Sequence, residues 1–154
     1  MRADSPPRRS LRDLFRRHDH TRAVDKTESE WRDQLTDEQF RVLRGHGTER
    51  PFTGSELTPD ECGMYRCSGC NAPLFRADNK FESGTGWPSF TDSVQDTVET
   101  RRDFSMGVPR TEVLCRRCGG HLGHVFDDGP APGGKRYCIN ACTLTGREGA
   151  DQRP

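Results

Sequence analysis

The sequence contains few hydrophobic residues for its length. Only 30% of its 154 residues are hydrophobic, whereas 16 are glycine and 10 are proline. The length fits a single domain. A core this small, in a chain this rich in loop-forming residues, is difficult to stabilise by burial alone, which favours a metal or covalent cross-link.

The chain also lacks net charge and long apolar runs. Its 24 basic residues balance 24 acidic residues, so no overall charge attracts it to nucleic acid or to a membrane surface. No apolar run approaches the ~20 residues of a membrane-spanning helix. Arg8-Arg9-Ser10-Leu11 is similar to the start of a twin-arginine export signal, but charged residues follow it. We therefore expect a cytoplasmic protein with no nucleic-acid or membrane partner.

Cysteine, in contrast, is plentiful. Seven cysteines in a cytoplasmic chain indicate metal or redox chemistry before structural disulfides. Cys67 and Cys70 form one C-x-x-C pair, and Cys115 and Cys118 form a second. Two such turns can supply the four thiolates of a closed tetrahedral site, so we expect a structural Zn²⁺ there. Two separate redox motifs are the alternative, but neither pair sits between a strand and a helix.

Residues 1–26 are rich in charge and nearly free of large apolar groups, so we expect a disordered N-terminal extension there. Two helix signals then mark the start of the folded part. Thr27-Glu28-Ser29-Glu30 and Thr36-Asp37-Glu38-Gln39 are capping boxes, each of which predicts a short helix. Gly45 is the expected end of the second helix.

Beyond Thr48 the pattern changes to short apolar segments separated by Gly, Pro, Asp and Asn. A spacing of roughly ten residues, with turn signals between the segments, predicts a mainly β domain whose two antiparallel sheets form an open barrel or sandwich. The strand candidates contain Met64-Tyr65, Pro73-Leu74-Phe75, Trp87-Pro88-Ser89-Phe90, Val94, Val98, Glu112-Val113-Leu114, Val125-Phe126 and Tyr137-Cys138-Ile139. The predicted domain covers residues 27–146, and residues 147–154 are expected to form a flexible tail.

One of the remaining cysteines stands in a reactive setting. In an extended segment alternate side chains point to one face, so Arg136, Cys138 and Asn140 are expected on one surface. A fixed positive charge beside a thiol favours the nucleophilic thiolate. The turn expected at His121-Leu122-Gly123-His124 adds two imidazoles that can hold protons near neutral pH. The alternatives are a buried structural cysteine and, for the histidines, a second metal site.

The segments around these residues resemble the B-type peptide methionine sulfoxide reductases. The resemblance runs from about Trp31 to Leu144 in the family's order. The matching motifs are Gly47-Thr48-Glu49-Arg50-Pro51-Phe52-Thr53-Gly54, Gly84-Thr85-Gly86-Trp87-Pro88-Ser89-Phe90, His121-Leu122-Gly123-His124-Val125-Phe126, Asp128-Gly129-Pro130, Arg136-Tyr137-Cys138-Ile139-Asn140 and the two C-x-x-C pairs. The resemblance implies an oxidoreductase that reduces the R epimer of methionine sulfoxide, free or in proteins, without an organic cofactor.

The resemblance also implies a role for each candidate residue. Cys138 matches the nucleophile that attacks the sulfoxide sulfur and becomes a sulfenic acid. His121 and His124 match the groups that protonate the sulfoxide oxygen, while Asn140 and Arg136 match residues that position the site and favour the thiolate. Thioredoxin or another thiol is expected to reduce the sulfenic acid, in a protein that we expect to be a monomer.

The chain departs from the family where the oxidised cysteine is recycled. Trp87 matches the aromatic wall that packs on the substrate methyl group, and many members carry a second cysteine just before it, where this chain has Thr85. Cys62 is one candidate for the resolving cysteine, and direct reduction by an external thiol is the other possibility. In an extended segment Cys142 and Cys138 would lie ~13 Å apart, beyond disulfide reach. We therefore expect Cys142 to fill the space of a small residue.

Two other classes of protein fit part of the pattern. A zinc-containing β module that binds a partner without catalysis predicts clustered basic and aromatic residues, whereas the arginines here are scattered among acids. A thiol-dependent enzyme of another kind, such as a glutathione-adduct lyase, predicts no preference between sulfoxide epimers. The family resemblance favours the reductase over both.

Overall fold

The computed structural model describes residues 22–52 and 57–145. Most of the expected N-terminal extension, and all of the expected tail at 147–154, lie outside the described residues. Where the extension is described, the backbone N–H of Val24 donates to the carbonyl of Arg117 at 3.0 Å, and Arg22 pairs with Glu99. This end of the extension therefore packs against the β domain.

Two short helices precede the sheets, as the capping boxes predict. Helix α1 covers Glu28–Gln34 and helix α2 covers Asp37–Leu43. At each N-terminus the threonine hydroxyl accepts a backbone N–H and the third helical residue bonds back to the cap, which satisfies groups that a helix end leaves open. Helix α2 ends before Gly45, and His46 makes the left-handed turn with a φ of 57°. No helix of the described ranges is long and apolar enough to cross a bilayer.

Strands in the described residues form two antiparallel sheets, which confirms the predicted mainly β class. The strands are β1 (Met64–Cys67), β2 (Pro73–Arg76), β3 (Lys80–Phe81), β4 (Ser89–Phe90), β5 (Val98–Asp103), β6 (Arg110–Cys115), β7 (His121–Phe126), β8 (Arg136–Ile139) and β9 (Leu144–Thr145). The strand order is β2-β1-β9 in the small sheet and β3-β4-β8-β7-β6-β5 in the large sheet, and neighbouring strands run antiparallel. Neither sheet closes on itself, so the architecture is open, as predicted.

One hydrophobic cluster draws residues from both sheets and both helices. Phe75 of β2 stacks on Phe90 of β4 with ring centroids 4.5 Å apart, and Tyr65 of β1 meets Phe90 edge-on. Each aromatic pair of this kind contributes about 0.5–1.5 kcal/mol beyond the area that it buries. Trp31 of α1 and Leu43 of α2 complete the cluster. The small sheet and the helices thus support the large sheet, which holds the candidate nucleophile.

Two local predictions are wrong. Val94 lies outside the strands, in the loop between β4 and β5, where its N–H donates to the Leu74 carbonyl at 2.8 Å. The segment predicted as a turn from His121 to His124 is the first part of β7. The glycine within it serves close strand approach instead of a turn, because a Cβ at Gly123 would lie 2.1 Å from a carbonyl oxygen of β8.

Candidate active site and metal site

Strand pairing places the candidate nucleophile in a row of polar side chains across the large sheet. Cys138 of β8 pairs with Ser89 of β4 on one side and with His124 of β7 on the other. Glu112 of β6 continues the row opposite His124. Side chains directly opposite each other share a face of the sheet, with Cβ atoms about 4.5–5.5 Å apart. The sheet therefore presents the Cys138 thiol beside an imidazole.

A β-bulge brings the second imidazole to the same neighbourhood. His121 and His124 are three residues apart, a spacing that would put them on opposite faces of a regular strand. The pairing with β6 shifts between Gly123 and His121, so that Leu122 is an extra residue, and such a bulge re-aims the side chains beside it. As a result, the two imidazole rings meet edge to face with centroids 5.4 Å apart.

Asn140 is buried just after β8 and holds this bulge in place. Its backbone N–H and its Nδ2 group each donate to the Leu122 carbonyl at 2.9 Å. Its Oδ1 accepts the Glu49 backbone N–H at 3.0 Å. Of the three residues expected on one surface, Arg136 and Cys138 interact, whereas Asn140 is directed into the interior and is only 3% exposed.

Glu49 joins three parts of the site although it is itself buried. Its carboxylate accepts the backbone N–H groups of Ala141 and Cys142 at 2.7 and 3.0 Å, at the start of the 3₁₀ helix Ala141–Thr143. Its backbone carbonyl accepts the indole N–H of Trp87 at 3.0 Å. Glu49 therefore fixes the orientation of the Trp87 ring and the path of the chain after β8.

His121 and His124 each have a carboxylate partner. Nδ1 of His121 lies 2.5 Å from Oε2 of Glu112, and Nδ1 of His46 lies 2.6 Å from the same oxygen. Burial on its own would raise the pKa of Glu112, but the hydrogen bonds with His121 and His46 outweigh burial and lower the pKa to about 2. Glu112 is therefore an ionised carboxylate throughout the physiological pH range.

The partner of His124 is Asp103, whose Oδ2 lies 2.8 Å from Nε2 of the imidazole. Hydrogen bonds with Ser105 and His124 hold the pKa of Asp103 well below its usual range. Burial lowers the pKa of His124, and the opposing effect of Asp103 does not restore it. His124 thus favours the neutral imidazole near pH 7, a form that can accept a proton.

Burial and a nearby cation have opposite effects on the pKa of the Cys138 thiol. Burial raises this pKa, while the positive charge of Arg136 and hydrogen bonds with Thr85 and Arg136 lower it. Burial has the larger effect, so the pKa is raised overall. The Arg136 guanidinium is fixed by two bonds to Asp128, at 2.8 and 3.1 Å, and lies 4.5 Å above the Phe126 ring. The resting cysteine is therefore a thiol, with the group that stabilises its thiolate already in position.

Thr85, at the position where many family members carry a cysteine, belongs to a short chain of hydroxyl groups. Its Oγ1 lies 2.8 Å from Oγ of Ser83, which lies 2.7 Å from Oγ of Ser89. Ser89 is the residue that pairs with Cys138 across β4 and β8. The Thr85 hydroxyl lowers the pKa of the Cys138 thiol, but Thr85 offers no sulfur with which to form a disulfide.

Four cysteines from two similar turns converge where the sheets meet. Cys67 and Cys70 belong to the β1–β2 turn, and Cys115 and Cys118 belong to the β6–β7 turn. Their Sγ atoms lie within 4.8 Å of one another, with separations of 3.7 Å for Cys67–Cys118 and 3.5 Å for Cys70–Cys115. A tetrahedral zinc site with Zn–S bonds of about 2.3 Å has sulfurs about 3.8 Å apart, so the cluster can hold a four-coordinate metal.

The two turns have the same backbone form. Asn71 and Gly119, each directly after the second cysteine, have φ values of 67° and 78°. Their N–H groups donate to the carbonyls of Cys67 and Cys115 at 2.8 and 2.7 Å. A left-handed residue at this point is tolerated best by Gly or Asn. The sequence thus builds two equivalent turns that aim paired sulfurs at one point between the sheets.

The two remaining cysteines differ in accessibility. Cys62 is exposed, in the turn before β1, where its N–H donates to Asp60 at 2.8 Å. Cys142 lies in the 3₁₀ helix after β8, so the segment is bent there and not extended. Burial, together with Glu49, raises the pKa of Cys142 to about 12, which makes its thiol a poor nucleophile at neutral pH.

Three carboxylates of the site were missed from the sequence. Glu112 and Asp103 partner the histidines, and Glu49 braces Trp87 and the chain after β8. Glu112 could have been found, because it is a charged residue inside an otherwise apolar strand candidate. A charge that is buried in a strand requires a partner. Glu49 lies in a motif that carried the family resemblance, although its role was not apparent there.

Comparisons with known proteins agree with this geometry. A family model described as SelR domain matches residues 35–148. The peptide methionine sulfoxide reductase MsrB of Methanosarcina barkeri is 56% identical over 124 residues, which cover 80% of this chain and 87% of that protein. The MsrB of Agrobacterium fabrum is 55% identical over 122 residues, which cover 79% of this chain and 90% of that protein. The chain therefore belongs to the SelR-domain family, the B-type peptide methionine sulfoxide reductases.

Proposed function

We propose that this protein reduces methionine-R-sulfoxide, free or in proteins, to methionine by attack of Cys138 on the sulfoxide sulfur. The observation that carries the proposal is the pairing of Cys138 with His124, next to which lies the ring of His121. A thiol beside two imidazoles has both the nucleophile and the proton carriers that the reaction needs.

The thiol supplies both electrons of the reductive step. The Cys138 sulfur bonds to the sulfoxide sulfur while a histidine protonates the sulfoxide oxygen. The oxygen then transfers to Cys138 as the sulfur–sulfur bond breaks, so that the substrate sulfur is reduced to the thioether and the Cys138 sulfur is oxidised to the sulfenic acid. The hydrogen of the sulfenic acid replaces the one lost by the thiol, so the step needs no net proton.

The surroundings of Cys138 support thiolate formation during the reaction. The resting pKa is raised by burial, but Arg136 lowers it through its charge, as does a hydrogen bond with Thr85. Neutral His124 is available to accept the thiol proton. We assign Arg136 the role of stabilising the thiolate, and Asn140 the role of positioning the histidine bulge through Leu122.

Trp87 is the proposed wall of the substrate pocket. Its indole N–H is fixed by the Glu49 carbonyl at 3.0 Å, which leaves the ring in one orientation beside β4. An aromatic face held in this way suits a methyl group next to a polar sulfoxide. The matching position in the family motif supports the same role.

Recycling of the sulfenic acid is proposed to depend on thioredoxin or another thiol. The reductant either attacks the oxidised Cys138 directly or reduces a disulfide that Cys138 has formed with Cys62. The exposure of Cys62 and the raised pKa of Cys142 favour Cys62 over Cys142 as the partner. Peptide mapping after oxidation without reductant separates the two routes: a Cys62–Cys138 peptide supports the disulfide, and a persistent sulfenic acid supports direct reduction.

We further propose that the four cysteines hold a structural Zn²⁺, which would tie the turns of the two sheets together. Four protein ligands leave no open position for a substrate, so the metal takes no part in the reaction. The catalytic domain is assigned to residues 27–146, between the N-terminal extension at 1–26 and the tail at 147–154. The protein is expected to act as a cytoplasmic monomer.

The proposal is tested with each epimer of a blocked methionine sulfoxide and dithiothreitol as the reductant. Wild-type protein is expected to consume the R epimer and leave the S epimer, and Cys138→Ser is expected to be inactive. Equal turnover by Cys138→Ser would contradict the assignment, as would a preference for the S epimer. An inactive wild-type protein that binds one zinc would favour a non-catalytic zinc module.

A further inference from the structure

One carboxylate oxygen of Glu112 lies within hydrogen-bond distance of two imidazoles from different parts of the chain. Oε2 of Glu112 lies 2.5 Å from Nδ1 of His121 and 2.6 Å from Nδ1 of His46. The side chains become less exposed along this series, from 53% for His46 to 9% for Glu112 and 2% for His121. The cluster therefore leads from the surface into the active site, ending on one of the proposed acids.

The distances describe hydrogen bonds and not metal coordination. The three groups offer two nitrogens and one oxygen within 4.8 Å of one another, a set that a metal could use. Tetrahedral ligands at about 2.0–2.1 Å from zinc, however, lie about 3.3 Å apart. The separations of 2.5 and 2.6 Å are far shorter than this ligand spacing and lie just below the ~2.7–2.9 Å of charge-assisted N–H···O hydrogen bonds, so protons join the carboxylate to both rings.

The second nitrogen of His121 is in a different situation. Its Nε2 is buried and has no hydrogen-bond partner among the residues that the structure describes. The ring of His124 lies beside it, but Nε2 of His124 is already committed to Asp103. Of the two imidazoles, His121 is therefore the one whose buried Nε2 has no partner among the described residues to give up when it bonds to a substrate that enters the site.

We propose that Glu112 is a positioning residue, which holds the Nδ1–H of His121 so that Nε2 is presented to the sulfoxide oxygen, and that His46 competes with His121 for the same carboxylate oxygen. This inference rests on the proposed function. With Nδ1–H fixed, the imidazolium donates its Nε2 proton and becomes the neutral Nδ1–H tautomer. That tautomer keeps the bond to Glu112, so the ring does not have to move.

His46 has the opposite effect on this arrangement. Each N–H that bonds to Oε2 draws on the same negative charge, so the bond to His46 weakens the bond to His121. His46 is half exposed and follows α2, whereas Glu112 reaches His121 within the sheet. Removing His46 therefore leaves the active-site pair intact, and removing the Glu112 charge does not.

The first readout is steady-state kinetics of Glu112→Gln and His46→Ala. Because a placed general acid contributes about 10²–10⁴-fold to a rate, Glu112→Gln is expected to lower kcat about tenfold to a hundredfold with KM little changed. His46→Ala is expected to keep the wild-type kcat or raise it. Equal losses in both variants would overturn the proposal, as would a loss in Glu112→Gln confined to KM.

The second readout is nitrogen NMR of isotope-labelled histidine in the resting protein, with the His121 signals assigned from a His121→Asn variant. In the wild-type protein and in His46→Ala, the expected signals show a proton on Nδ1 of His121; in Glu112→Gln they show a mixture of tautomers. An unprotonated Nδ1 in the wild-type protein would overturn the proposal even if Glu112→Gln failed to fold. This measurement does not depend on turnover, so its failure is distinct from failure of the reductase assignment.

Discussion

Gly123→Ala should push β8, the strand of the proposed nucleophile Cys138, away from the histidines of β7. A Cβ at this position would lie 2.1 Å from the carbonyl oxygen of Cys138, and ordinary contact begins near 3.4 Å. The atom in the way is backbone, so β8 itself must move by about the 1.3 Å difference. Overpacking of this kind costs about 1–3 kcal/mol of stability, and a displacement of about 1 Å at a reacting group can cost about a hundredfold in rate.

Urea unfolding and the rate of sulfoxide reduction measure the two effects. Gly133→Ala is the matched control, because a Cβ there meets no heavy atom within 4 Å and its φ lies outside the left-handed region. The control is expected to keep wild-type activity, with stability unchanged or slightly raised. If Gly123→Ala and Gly133→Ala behaved alike in both assays, close approach of β7 and β8 would not be what aligns the site.

Further predictions concern charge, bracing and metal. Arg136→Leu removes a group that lowers the Cys138 pKa against burial, so the midpoint of iodoacetamide alkylation should move to higher pH; an unchanged or lower midpoint would contradict the electrostatic account. Glu49→Gln should lose about 1.5–3 kcal/mol in chemical denaturation, the range for hydrogen bonds to a charged group, and a neutral result would show that the two N–H bonds are replaced by water. Removal of zinc by chelation, or Cys115→Ser, should abolish the near-UV circular dichroism of the folded state. The reason is that a structural zinc contributes about 10–16 kcal/mol, as much as the whole stability of a domain. A native spectrum without metal would contradict a structural role for the ion.

The features that were predictable from the sequence are those encoded over a few residues. The capping boxes at Thr27 and Thr36 specify their helices through bonds that span three residues. The C-x-x-C pairs specify two turns suited to metal binding for the same reason, since two cysteines at that spacing can reach one ion. Because a closed tetrahedral site needs four ligands, the two turns could be predicted to lie together without knowledge of the sheet order.

The strand containing the histidines could not be predicted in the same way. Glycine between two histidines is a turn signal when only neighbours are considered. In the structure the same glycine permits the backbone of β8 to approach, a condition set by residues later in the chain. The bulge at Leu122 is likewise held by Asn140, so neither the strand nor the side-chain directions are local properties.

The contacts of two carboxylates of the site could not be predicted from the sequence because they act across strands. Asp103 reaches His124 from β5 and Glu112 reaches His121 from β6, and both contacts depend on the pairing register. A slip of one residue would move either side chain to the opposite face of the sheet. The family resemblance identified the candidate nucleophile and the two histidines directly, but which groups orient them could be recognised only once the strand register was known.

The most direct test of the central claim is a single turnover without reductant. Wild-type protein is mixed with excess methionine-R-sulfoxide, and both methionine and trapped sulfenic acid are quantified by mass spectrometry. If Cys138 accepts the sulfoxide oxygen, about one methionine forms for each chain. Cys138 is then found either labelled by the trap or, if Cys62 reacts first, in a Cys62–Cys138 disulfide. Methionine formation with Cys138 unmodified, or equal formation by Cys138→Ser, would contradict the assignment of Cys138 as the nucleophile.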